Sequence, residues 1–158
     1  MSLFARIAAS LIAISDRRPP SYVIGSTDNP YLRRWWLIPR NPWFNIYLHQ
    51  FLRDDDDRAL HDHPWVWCSI ILRGRYIEHT IQAGGIHRHV EYQTGTVRVN
   101  RPTFAHRLAL HPGESAWTLF ITGPRVREWG FHCPSAGWVH WQAFTSSDGR
   151  EVGKGCDQ

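Results

Sequence analysis

The sequence predicts an all-β barrel or sandwich preceded by one short α-helix. Three observations carry this reading. Residues 1–20 hold the only clear helical spacing of apolar residues. From Pro20 onward short runs rich in β-branched and aromatic residues follow one another, and turn signals separate them at close intervals.

The elements follow in order. Leu3, Phe4, Ile7, Ala8, Leu11, Ile12 and Ile14 fall largely at three-and-four spacing and predict a docked amphipathic helix that "DRRPP" ends. The same stretch superficially resembles a signal peptide, but one arginine makes a poor charged leader. Strand-like runs then cover 31–38, 43–52, 63–72, 75–81, 86–92, 96–99, 105–110, 116–122 and 138–144, separated by signals such as "STDNP", "AGG", "QTG" and "HPGES". Many short strands at this spacing suit a barrel or sandwich. The chain divides into a helix and linker (1–20), a barrel (21–145) and a tail (146–158) expected to be loosely ordered.

A length of 158 residues suits one domain with a real core, and 42% hydrophobic against 20% charged residues excludes a disordered or fibrous chain. The net charge of +4 permits contact with polyanions, but the arginines are spread along the chain and give no strong nucleic-acid signal. No segment approaches transmembrane length. Cys68, Cys133 and Cys156 are odd in number and spaced unlike a disulfide framework, so a reducing compartment, the cytoplasm, is expected.

Side-chain alternation sorts the histidines. If strand geometry runs from His61 to Ile71, then His61, His63, Trp65, Trp67, Ser69 and Ile71 share one face. His106 shares its face with Leu108 and Leu110 and also points inward, whereas His87 and His89 share theirs with Glu91 and Gln93 and read as solvated. An HxH pair sets two imidazoles about 7 Å apart at the backbone, within reach of one ion. Gly74 follows His63 by eleven residues, and His106 follows Gly95 by eleven.

In these histidines and glycines, residues 61–106 resemble the cupin superfamily. The resemblance implies a double-stranded β-helix, a jelly-roll-like barrel holding a mononuclear metal. The family's glutamate would fall at Trp67 or Cys68, and neither is a carboxylate; Pro102 also stands one position later than the pattern. What remains is a metal set of His61, His63 and His106, with Glu78 as a candidate fourth ligand. Three-histidine cupin sites resemble those of thiol and diketone-cleaving dioxygenases. Cys68 in "HDHPWVWC" falls where cysteine dioxygenase carries its crosslinked cysteine, but no tyrosine follows Tyr92 to complete a crosslink. Two long segments, "DNPYLRRWWLIPRNPWFNIYLHQFLRDDDDRALHDHPW" and "LFITGPRVREWGFHCPSAGWVHW", resemble uncharacterised cupin-like proteins of tailed phages and prophages. That resemblance implies a bacterial host cytoplasm, and cupins commonly form homodimers.

The remaining candidates surround this set. His49 shares a face with Tyr47, and both are candidate catalytic residues. Arg34, Trp67 and His132 are candidate substrate contacts; only one of Arg33 and Arg34 can point inward, where it would offer a fork to a substrate carboxylate. The alternative is that both lie over tryptophans on the sheet surface. Asp54 to Asp57 read as a solvated loop pairing with Arg53 and Arg58, and Asp62 as a salt-bridge residue pointing away from its histidine neighbours. Three neutral imidazoles leave positions for a bidentate substrate and O₂, so one divalent metal is expected, Fe(II) first and Mn, Ni or Zn as alternatives. The function expected is an Fe(II) dioxygenase acting on a small molecule. The alternatives are a non-catalytic binding or structural module and a metal-free isomerase resting on Tyr47 or Tyr76, since the single lysine, Lys154, lies in the tail.

Overall fold

The computed structural model describes residues 2–26, 28–55 and 59–157. Helix α1 (Leu3–Ile12) opens at Ser2, whose hydroxyl accepts from the Ala5 amide, and a short α2 (Ile14–Arg17) ends before the two prolines. Twelve strands follow: β1 (Tyr22–Gly25), β2 (Pro30–Trp36), β3 (Asn45–Phe51), β4 (Leu60–His61), β5 (Trp67–Arg73), β6 (Arg75–Gln82), β7 (Ile86–Gln93), β8 (Val97–Asn100), β9 (Arg107–Ala109), β10 (Ala116–Thr122), β11 (Gly130–Cys133) and β12 (Gly137–His140), with α3 (Trp141–Phe144) after them. The all-β expectation with an N-terminal helix therefore holds.

One sheet has six strands in the order β1-β2-β3-β10-β5-β8. Two smaller sheets, β12-β11-β4 and β7-β6-β9, meet where His61 and His106 form an antiparallel bridge. His61 N donates to His106 O at 2.9 Å and His106 N to His61 O at 3.0 Å, so the small sheets continue into one layer. Alternation divides the large sheet. Leu48 of β3, Trp117 of β10 and Leu72 of β5 pack outward under Ala8, Leu11 and Ile12 of α1. Tyr47, Trp67 and Phe120 pack on the inner face. The helix docks by its C-terminal half, because Leu3, Phe4 and Ile7 remain exposed.

The two glycines singled out in the sequence both make turns. Gly74 has φ +86°, and a side chain there would strike the Ser115 carbonyl, so β5 turns directly into β6 only with glycine. Gly95, at φ +91°, turns the chain between β7 and β8.

Three expectations about local structure need correction. The run 63–72 is not one strand: Pro64 has no amide proton to donate to a ladder, and the chain leaves β4 at His61 and re-enters the sheet at Trp67. Segment 138–144 splits into β12 and α3, and strands β1 and β11 were not foreseen. Finally, Cys133 of β11 and Cys156 form a disulfide, with Cys68 the free cysteine. The pairing overturns the cysteine reading and removes the step from cysteine count to a reducing compartment.

The disulfide also changes the tail. Residues expected to be loosely ordered are held by Gly25 N to Arg150 O, Ser146 N to Glu151 O and Gly153 N to Phe144 O, at 2.8, 2.8 and 3.0 Å. Ala59, Cys133, Val139 and Phe144 are buried together beneath it. Among the described residues no helix is long and apolar enough to cross a membrane.

A crosslink over a sequence separation of 23 residues stabilises by about 3 kcal/mol, chiefly by restricting the unfolded chain. Cys156→Ser is therefore expected to lose about that much in urea denaturation under oxidising conditions. Wild type in reductant should fall to the same value; equal stability with and without reductant would count against the crosslink.

Candidate metal centre

His61 ends β4, His63 lies two residues further on, and His106 stands immediately before β9. The bridge between His61 and His106 faces their side chains toward one point. Their ring centroids are 5.0 Å apart, with His63 at 5.1 Å from His61 and 5.3 Å from His106. One nitrogen from each ring lies within 4.8 Å of the other two. His63 Nε2 and His106 Nε2 are 3.0 Å apart. Two nitrogens held about 2.1 Å from one ion at a right angle stand about 3.0 Å apart, so the donor set fits a divalent metal.

The surroundings keep these rings in the ligating form. His61 has its pKa lowered to about 3 by burial, and then by repulsion from His106 and His132. His63 is held well below its ordinary value by burial, and then by His61, His106, Arg34 and His49. Both are neutral at pH 7, with a lone pair available.

Carboxylates stand behind the rings, where the sequence did not place them. Glu78, 2% exposed, accepts from His106 Nδ1 at 2.8 Å through one oxygen and from Arg98 Nη2 at 2.6 Å through the other. It is thus a partner of the far side of His106 and not a fourth member of the nitrogen cluster. With Nδ1 engaged by Glu78, His106 turns its Nε2 toward the centre. Asp55 stands behind His61 in the same way, its Oδ2 lying 3.4 Å from Nδ1 without a hydrogen bond between them. This corrects the reading of Asp54 to Asp57 as solvated: Asp55 belongs to the site, whereas Asp54 is exposed and accepts from the Leu110 amide. Asp56, Asp57 and Arg58 lie outside the described residues.

Asp62 points away from its histidine neighbours, as alternation requires. It is 1% exposed and accepts from Gly130 N at 2.9 Å, Trp138 Nε1 at 3.1 Å and His132 Nε2 at 3.1 Å, with Arg127 Nη1 at 2.9 Å. His132 is consequently no substrate contact. It is drawn to the opposite side of β4 by Asp62 and does not line the cavity. Glu128 pairs with Arg125 and His140 at the surface.

The three histidines line a cavity of about 510 Å³ between the layers. Trp67 forms part of its floor, stacking on His106 at 5.0 Å and on Phe120 at 5.5 Å. Trp65 stacks on His63 at 5.6 Å. Cross-strand register pairs Arg34 with His49 and Trp36 with Tyr47, so these side chains enter the cavity while Arg33 is exposed. Burial and the nearby Arg34 charge hold His49 well below its ordinary pKa. Sequence reasoning missed Asp55, Arg98 and the tail segment from Thr145 to Val152, which closes one side of the cavity. No local pattern marks the tail residues; the Cys133–Cys156 crosslink brings them there.

No protein-family model matches the sequence, and no curated protein matches it. Solved structures do. The oxalate decarboxylase of Lactobacillus farciminis superposes with a TM-score of 0.50 at 15% identity over 73% of this chain, which spans about a third of that protein (33%). Fe(II) HppE gives 0.49 at 19% identity, covering 77% of this chain and 76% of that one. A Klebsiella pneumoniae protein with a double-stranded β-helix domain gives 0.49 at 16%, covering 70% and 90%. At these identities the likeness concerns the fold: the chain has the cupin-type double-stranded β-helix, and its three histidines are arranged to take a metal.

A histidine whose folded pKa lies below its unfolded value of about 6.5 stabilises the fold above that value. As pH falls from 6.5 toward 3 the unfolded chain binds protons that the fold excludes, and stability is lost. The chelator-treated protein is expected to show a urea midpoint that declines across this window, with a slope reduced by about one proton in His61→Gln. A midpoint unchanged from pH 7 to pH 4 would contradict buried neutral histidines.

Proposed function

We propose that this protein is a metal-dependent enzyme acting on a small molecule, with Fe(II) held by His61, His63 and His106 and O₂ as co-substrate. The observation that carries the reading is the placement of three convergent imidazoles on the wall of a cavity large enough for a small organic molecule. A purely structural barrel has no need of such a space beside its histidines. His61, His63 and His106 would hold Fe(II) without a protein carboxylate, and the ion when bound would supply Lewis-acid and O₂ chemistry there.

The chain's own residues supply the rest. Glu78, held by Arg98, orients His106 through its Nδ1, and Asp55 places a carboxylate 3.4 Å from His61 Nδ1. Trp65, Trp67 and Phe120 keep bulk water from the rings and give a flat apolar wall. His49 and Tyr47, the candidate catalytic residues, also hold Arg34. His49 Nε2 accepts from Arg34 Nε at 2.9 Å, and the guanidinium lies 5.0 Å above the Tyr47 ring. The sequence likeness to phage and prophage proteins is compatible with such an enzyme working in a bacterial host.

Protein prepared without an affinity tag is expected to carry close to one divalent ion per chain by elemental analysis, iron predominating after anaerobic purification. His61→Ala or His106→Ala should reduce it at least tenfold. Metal well below one equivalent in the wild type, unaltered by His61→Ala, would overturn the proposal.

A further inference from the structure

The cavity contains one charge that metal binding does not use. Arg34 projects inward from the middle of β2 and lines the cavity. Its recorded polar partner is neutral, the imidazole of His49. Among the described residues no carboxylate lies within ion-pair distance of it. Three acids line the same cavity: Asp55 faces His61, Asp148 accepts from Ser146 and the Arg150 amide, and Glu151 is exposed and not within ion-pair distance of Arg34 among the described residues. Its Nη groups have no hydrogen-bond acceptor among the described residues. A half-buried guanidinium on a cavity wall, with its Nη groups turned to the cavity and no counter-charge, is suited to bind an anion.

The surroundings define that anion. A guanidinium offers two parallel N–H groups, which match the two oxygens of a carboxylate. A phosphate dianion calls for more than one cation, and the other lining arginines, Arg40 and Arg150, are exposed and lie over the rings of Trp36 and Tyr22. The path from Arg34 toward the histidines is aromatic. His49 stacks on Phe120 at 5.1 Å, and Phe120 stands 6.0 Å from His63, so one ring bridges the two groups. We propose that the substrate is a small monocarboxylate with a flat apolar body, its carboxylate on Arg34 and its body beside Phe120, reaching toward the three histidines. This rests on the reading of the cavity as a small-molecule site.

The test uses chelator-treated protein and follows tryptophan fluorescence and thermal midpoint. The probes are acetate, benzoate and phenylacetate, each against its neutral amide, with inorganic phosphate as a separate arm. Benzoate or phenylacetate is expected to bind at least tenfold more tightly than its amide. Arg34→Gln should abolish that preference and Arg34→Lys, which keeps the charge but not the fork, should retain part of it. Near-ultraviolet circular dichroism confirms that each variant is folded, and the wild-type acid-amide contrast stands without them. Equal binding of acid and amide, no binding by any acid of the series, phosphate binding as tightly as benzoate, or an undiminished preference in Arg34→Gln would each overturn the proposal. Because metal is absent throughout, failure here leaves the metal reading intact, and failure to find metal leaves this contrast measurable.

Discussion

Two backbone hydrogen bonds between His61 and His106 hold the architecture and the site together. They join the β12-β11-β4 and β7-β6-β9 sheets into one layer, and they do so at the two residues whose imidazoles face the cavity. Opposed residues in an antiparallel pair point to the same face, so closing the layer and converging the rings are one event. Slipping either segment by one residue would turn its ring to the other face and separate the two imidazoles. His63 then needs only to leave the strand at Pro64 and fold its ring against the same point.

Around that pair, charge is distributed in a consistent way. Imidazoles face inward and carboxylates stand behind them: Glu78, with Arg98, at His106 and Asp55 near His61. On the other side of β4, Asp62 draws together β11, β12 and Arg127 through four donors, so the strand that carries His61 is fixed from both faces. Each buried acid has its partners. Arg34 is the exception, a cation whose protein partner is neutral, and it lies inside the cavity.

Much of this was legible in the sequence because strand periodicity is a local property. Alternation sorted Arg34 from Arg33, set Asp62 opposite its neighbours and turned His106 inward with Leu108. The HxH pair became informative once Gly74, Gly95 and His106 were seen beside it, and the turns at both glycines have the positive φ that only glycine adopts easily. The parts that could not be read depend on contacts distant in sequence. Asp55 looked like one of four equivalent aspartates until the fold carried it to His61, and His132 looked available until β11 paired with β4 and brought it to Asp62. Cys133 and Cys156 are joined only because the tail returns across β11. Glu78 was noticed but assigned to the ion, because alternation gives a face and not the side of a ring on which a carboxylate ends.

The central claim is that three imidazoles, with no protein carboxylate, bind one metal ion. A crystal structure of the Fe(II)-loaded protein, with anomalous diffraction collected at the iron edge, addresses it directly. The account requires a single peak within coordination distance of nitrogens from His61, His63 and His106, with Glu78 still bonded to His106 Nδ1 and Arg98. A peak ligated by Glu78 or Asp55, or no peak among the three rings at full iron loading, would contradict it.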